Sequence, residues 1–364
     1  MKKKNIYGLA LLAAFSFSPY SFAADVEIAP QIVNGNDVTS ASTYPSYARL
    51  VAWIDYNNGS YSYSRYCGAT ILDDYHILTA AHCVYINSNS TEESMLFTYV
   101  YPQLTNESVT NLASSSTPKV RISEVYYPDS YNNSTLYHDV AVLKLESPLT
   151  NFSLSGSYAA NLPASGDDAT TSGGYRETGL TNNFTAVGHG NTSSDVDNTN
   201  TLQYATLTYV PNANCNYTAE TDYNLCMEGD ISFSSSGNEN LEASTCNGDS
   251  GGPLYWVDGS TQKLVGVTSY GPASICGDPD VSYGATSVFS EVLDFNTWIN
   301  SATSGAETAK YTFTEAERQN FRDGNYTYKY SAQPVTITSS GSSGGSVPFW
   351  ALFFVGGLAL LRRK

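Results

Sequence analysis

From about Pro45 to Trp298 apolar residues fall in short runs rich in β-branched and aromatic side chains, separated by Gly, Asn, Asp and Pro. Runs of this length with turn residues between them are the signature of strands. The clearest are YARLVAWI, KVRISEVYY, VAVLKLES, LQYATLTYV and the pair PLYWV and QKLVGVTSY, joined through Asp258 and Gly259. Helical periodicity is scarce. Only VFSEVLDFNTWIN places its apolar residues Val292, Phe295 and Ile299 on one helical face. The pattern therefore predicts an all-β barrel or sandwich closed by one C-terminal helix.

Both ends of the chain depart from this pattern. The first 23 residues have a lysine-rich start, an apolar middle and small residues before Ala23, as a secretory signal does. Residues 303–340 contain no cysteine and are too few for a substantial core, so they are expected to form a stalk, or a strand or two docked on the main body. A flexible SSGSSGGS stretch then leads into VPFWALFFVGGLALL and a terminal RRK. A helix of that apolar length spans roughly 22 Å at 1.5 Å per residue. It would cross a bilayer only with thinning or snorkelling, its basic end remaining on the cytoplasmic side.

The formal charge of −17, with 14% charged residues, describes a polar surface in which acids exceed bases. Nucleic acid is thereby disfavoured as a partner, since phosphate binding needs clustered Lys and Arg. If the chain is exported, its six cysteines (Cys67, Cys83, Cys215, Cys226, Cys246 and Cys276) are better read as three disulfides than as a metal site. Their number alone allows fifteen pairings. No metal motif and no nucleotide-binding loop occurs, so no cofactor is expected. Calcium stays open, because Glu92 and Glu93 supply too few carboxylates to assign a site.

One stretch, TCNGDSGGP at residues 245–253, sets a serine between an aspartate and two glycines. A serine hydroxyl is a poor nucleophile unless a base removes its proton and an acid orients that base. Four histidines are available: His76, His82, His138 and His189. GDSGGP, with TAAHC upstream and DVAVLKL between them, resembles the chymotrypsin-like serine peptidases of the trypsin family, over about residues 32–300. The order His82, Asp139, Ser250 is that family's order; other folds arrange the same trio differently.

The resemblance implies two six-stranded antiparallel β-barrels and a C-terminal helix, with Ser250 as nucleophile, His82 as base and Asp139 orienting the imidazole. It implies an oxyanion hole from the backbone N–H groups of Gly248 and Ser250. It pairs Cys67 with Cys83, Cys215 with Cys226 and Cys246 with Cys276. His138 is expected to point away from the site if adjacent residues of a strand carry Asp139 toward it, and His189 and His76 to be structural. The resemblance further implies that a cut before Ile32 releases an ammonium that pairs with Asp249. Gln31, where the family usually has Arg or Lys, argues against a trypsin-like activator.

The same comparison sets Ser244 and Thr245 at the base of the specificity pocket, Gly271 on one wall and Ser287 on the other, with Ser269, Tyr270 and Gly271 offering backbone bonds to an extended substrate. Lacking a charge at Ser244, the pocket should favour large uncharged or aromatic side chains, unless Asp278 or Asp280 reaches inward and restores preference for Arg or Lys. The tail resembles the GlyGly-CTERM sorting signal of certain exported Gram-negative proteins, which implies secretion machinery and a rhomboid-type processing protease. A permanent anchor is the plainer alternative.

The expected organisation is thus a signal peptide (1–23), an activation peptide (24–31), a peptidase domain (32–302), an extension (303–340) and a sorting tail (341–364). The product would be a monomeric enzyme acting on proteins or peptides. The rival readings are a non-catalytic binding module of the same fold and a surface adhesin.

Overall fold

The computed structural model describes residues 32–330, apart from 172, 180–182, 191–199, 218–220, 231–240, 273–274 and 280–283. The signal and activation peptides, Asp280 and the apolar tail lie outside the described residues.

A two-residue strand, β1 (Asn36–Asp37), precedes the first barrel, which is built from β2 (Tyr47–Asp55), β3 (Tyr61–Ile71), β4 (His76–Thr79), β5 (Thr98–Pro102), β6 (Val120–Tyr126) and β7 (Ala141–Leu145). Three helices interrupt it: α1 (Ala81–Val84), α2 (Asn89–Leu96) and α3 (Val109–Ala113). The strands pair in the order β6-β5-β2-β3-β4-β7, and β6 pairs back with β7, closing the barrel. The second barrel uses β8 (Phe184–Gly188), β9 (Gln203–Val210), β10 (Asn224–Gly229), β11 (Pro253–Asp258), β12 (Thr261–Tyr270) and β13 (Ser287–Glu291). Its order is β9-β10-β13-β12-β11-β8, with β8 returning to β9 and β1 added on the edge of β9. All pairings between strands are antiparallel. Closure removes the open edges that a sheet of this length would otherwise expose.

Strand alternation decides what each barrel buries. In β2, Ala48 and Leu50 enter the first core beside Cys67, Ala69, Ile71 and Ile122, while Tyr47 and Arg49 face the other way. The second core gathers Phe184, Leu207, Leu225, Leu254 and Phe289, together with Ile32 from the start of the described chain. A third cluster, with Tyr47, Leu78, Val142, Val187 and Val267, packs with Phe295 and Ile299 of α4 (Val292–Thr303). The helical face expected from the sequence is therefore the buried one; Ala302 completes it.

Beyond α4 the chain returns to the first barrel. Strand β14 (Tyr311–Thr312) adds to the edge of β6, and α5 (Glu315–Arg322) follows, its start capped reciprocally by Thr314 and Glu317. Tyr311 and Phe313 enter the first core. Arg318 is fully buried, donating from Nε to Leu96 O (2.6 Å) and from Nη2 to Ile122 O (2.9 Å). Residues 311–330 thus pack against the first barrel. No helix among the described residues is long and apolar enough to cross a membrane.

Candidate active site

His82 lies on α1, immediately after β4. The turn between them is fixed by Thr79, whose hydroxyl donates to Gly68 O (2.9 Å), and by the Cys67–Cys83 disulfide, which ties α1 to β3. Asp139 arrives just ahead of β7, the strand paired with β4, so the two residues reach one place by neighbouring strands. Their contact has two parts. The carboxylate of Asp139 accepts from the His82 backbone N–H (2.8 Å) through Oδ1, and its Oδ2 lies 2.7 Å from His82 Nδ1. Asp139 is completely buried, whereas the imidazole retains some exposure.

The second barrel completes the surroundings of Asp139. Ser269 donates its hydroxyl to Oδ2 (2.5 Å), and Ser290 donates to the Asp139 carbonyl (2.9 Å). The sequence points to Ser269 only as a backbone partner for substrate. Its hydroxyl gives the buried carboxylate another hydrogen bond, and hydrogen bonding to the charged form is what stabilises it away from water.

Ser250, partly exposed, sits in a tight turn at the barrel junction. Its carbonyl accepts from Gly68 N (2.8 Å), next to Cys67 and thus next to the disulfide that leads to His82. Gly248 adopts φ +97°, a region that side chains other than glycine's rarely enter. Beside it Asp249 is buried, accepting from Gly190 N (2.5 Å) and Cys246 N (2.9 Å). A Cβ on Gly190 would fall 1.9 Å from Asp249 Oδ2, so only glycine permits that approach. Burial pushes the Asp249 carboxyl up to about 7.

Ile32 and Val33 run alongside this loop, both fully buried. Val33 and Ser244 exchange backbone hydrogen bonds (3.0 and 3.3 Å), which places the start of the described chain against the expected pocket base. Ser244 is buried, and its hydroxyl has no hydrogen-bond partner among the described residues. Thr245 donates from both N–H and Oγ1 to Ser287 Oγ (3.0 Å each), so the base and one expected wall touch. A Cβ on Gly271 would meet Thr286 O at 3.0 Å. Asp278 acts on Glu242, which burial and the charges of Glu228, Asp230 and Asp278 raise to about 7.

The other histidines are elsewhere. His138 sits at φ 55°, so it turns from Asp139 through a turn and not through strand alternation; it stacks on Tyr137 and packs edge-on against Phe295. His189 is buried, its Nδ1 2.9 Å from the Tyr47 hydroxyl, and burial holds it well below the usual imidazole range. His76 pairs with Asp73. The three disulfides are Cys67–Cys83, Cys215–Cys226 and Cys246–Cys276, the pairing that the resemblance implied. Glu92 is buried and accepts from the backbone N–H of Lys329 (2.9 Å) and Tyr330 (3.0 Å), and Glu93 accepts from the Tyr328 hydroxyl. These carboxylates serve the C-terminal segment.

Two closed β-barrels meet at the Asp139–His82 pair, with the glycine-flanked Ser250 at the same junction. The family model described as trypsin matches residues 38–299; the chain belongs to that family and is a serine endopeptidase acting on protein substrates. Over 260 residues it is 28% identical to serine protease 1 of Drosophila melanogaster, covering 71% of this chain and 84% of the relative. It is likewise 28% identical over 234 residues to trypsin-1 of Astacus astacus (64% and 86%), and 26% identical over 271 residues to spermosin of Halocynthia roretzi (71% and 62%).

Proposed function

We propose that Ser250, His82 and Asp139 form the catalytic triad of an exported peptidase that becomes active when the chain is cut before Ile32. The carrying observation is the pair of contacts Asp139 makes to His82, Oδ1 to the backbone N–H and Oδ2 to Nδ1, which favours the tautomer whose Nε2 can take a proton. His82 then removes the Ser250 proton as Oγ attacks the scissile carbonyl, and returns it to the leaving amine. Asp139 stays ionised and stabilises the imidazolium. The N–H groups of Gly248 and Ser250 receive the developing oxyanion. Water repeats the sequence on the acyl-enzyme. A burst of leaving group from an activated ester, followed by slower turnover, is the expected kinetic sign; turnover that persists unchanged in Ser250→Ala would refute it.

The activation reading is supported by Asp249, a buried carboxylate raised to about 7, and by the burial of Ile32 and Val33 close to its loop. A new ammonium at Ile32 would supply the missing positive charge, and each partner alone would be strongly destabilising. Mass spectrometry of the active form is expected to find an Ile32 N-terminus, produced by a protease that accepts Gln31.

For specificity, the uncharged Ser244 and the Thr245–Ser287 hydroxyl contact support a pocket for large uncharged or aromatic side chains. The acidic group around Glu242 and Asp278 favours the alternative, Arg or Lys. Peptide amides differing only at the residue before the cut decide between them; preference for Arg overturns the uncharged reading. Export rests on the secretory-type N-terminus, and processing by secretion machinery and a rhomboid-type protease rests on the likeness of the tail to a GlyGly-CTERM signal.

A further inference from the structure

Arg49 lies in β2 on the face turned away from the first core and is fully buried, an expensive place for a charge unless it is paired. Its Nε donates to Glu107 Oε2 (2.7 Å), and neither side chain is exposed. Its Nη1 donates to Gly248 O (2.7 Å). Glu107 is in turn held by Arg65, which bonds the Glu107 carbonyl (3.1 Å) and Asn200 Oδ1 (3.0 Å). The catalytic steps proposed for Ser250, His82 and Asp139 use neither Arg49 nor Glu107.

The bond to Gly248 gains meaning from its neighbours. Three successive carbonyls of the serine turn are each held: Asp249 O by Gly252 N within the turn (2.8 Å), Ser250 O by Gly68 N of β3 (2.8 Å), and Gly248 O by Arg49 of β2. Two of the three holders are backbone groups fixed by the fold, and the third is a side chain. Of these three residues only Gly248 is a glycine, which enters several φ/ψ basins at similar cost. The Gly248 carbonyl is separated from the N–H of the same residue by φ and ψ alone, so with φ at +97° anchoring the carbonyl narrows the directions open to that N–H.

We infer that Arg49, braced by Glu107, is a positioning residue for the oxyanion hole: by holding the Gly248 carbonyl it keeps the Gly248 N–H aimed at the developing negative charge. The inference rests on the assignment of Ser250 as nucleophile. It concerns transition-state stabilisation alone, so substrate affinity should be spared.

The test compares ester hydrolysis by the mature enzyme and two variants, after active-site titration with a serine-directed phosphonate. Arg49→Lys keeps a positive charge beside Glu107 but loses the fork that spans Glu107 and Gly248. Arg49→Met with Glu107→Gln removes both charges at similar volume. Since deleting one oxyanion donor outright costs about 10²–10³ in kcat, misaiming one should lower kcat by roughly tenfold or more in both variants, with KM within about twofold. Glu107→Gln alone, which leaves Arg49 on Gly248 O, should stay within about threefold of the parent.

Parental kcat in either folded Arg49 variant overturns the inference, as does a Glu107→Gln loss equal to theirs. Failure of both variants to fold assigns the pair to folding alone and also overturns it. A parent enzyme that forms no phosphonate adduct sinks the nucleophile assignment instead, a result distinguishable from all of these.

Discussion

Asp139 is the residue around which the site is arranged, and its hydrogen bonds set how much each neighbour should matter. Asp139→Asn would keep the shape but present the wrong hydrogen-bonding group to His82, so kcat should fall by on the order of 10⁴-fold. Ser269→Ala removes one bond to the charged form. Such bonds are worth about 1.5–3 kcal/mol, so kcat should fall by up to roughly ten- to a hundredfold. An unchanged kcat would reduce Ser269 to a packing role. His82, Asp139 and Ser250 were legible from GDSGGP, TAAHC and DVAVLKL. The Ser269 hydroxyl and the Arg49–Glu107 pair were not, because each depends on which residues of a distant strand lie opposite. An arginine in the apolar run YARLVAWI was the available signal: a charge at such a position must be paired or pay heavy desolvation.

Among the elements, the extension after α4 holds α2 and β6 together. Its Tyr326 hydroxyl and the N–H groups of Lys329 and Tyr330 surround Glu92 of α2, while Arg318 reaches Leu96 O, Ile122 O and Glu146. Leaving a buried acceptor unpaired costs about 1–3 kcal/mol, and Arg318→Ala frees the Leu96 and Ile122 carbonyls, so it should shift the urea midpoint downward. Removing residues 306–330 should do at least as much, since it also uncovers Tyr311 and Phe313 of the first core. A truncated chain as stable as the parent would contradict this. Strands and α4 could be read from periodicity, as LQYATLTYV and VLDFNTWIN show. Docking of 311–330 could not: a two-residue strand carries no periodic signal, and Arg318 is buried by contacts more than 170 residues away in sequence.

At the scale of the whole molecule, activation should be visible as a change in how stability depends on pH. Before the cut, Asp249 titrates near 7 against an ordinary value of 3.8, so the folded state binds the proton more tightly than the unfolded state does. Stability from this group is therefore present at low pH and lost as pH rises toward and through 7, at about 1.4 kcal/mol per pKa unit. Glu242, raised to about 7, and Asp294, raised to about 6, act in the same direction, so the difference between the uncut chain and its Asp249→Asn variant isolates the one group. In the uncut Ser250→Ala protein the melting temperature should rise on moving from pH 7.5 to 5.5 by more than in Asp249→Asn. Cleavage before Ile32 should abolish that excess, because the new ammonium favours the ionised carboxylate. Equal shifts in both proteins would remove the reason for assigning Asp249 a counter-charge. The most direct measurement of the catalytic assignment is mass spectrometry of the mature enzyme after reaction with a serine-directed phosphonate. One adduct on Ser250, formed at a rate that falls steeply in His82→Ala, is the expected result; no adduct at Ser250, or labelling indifferent to His82, would contradict it.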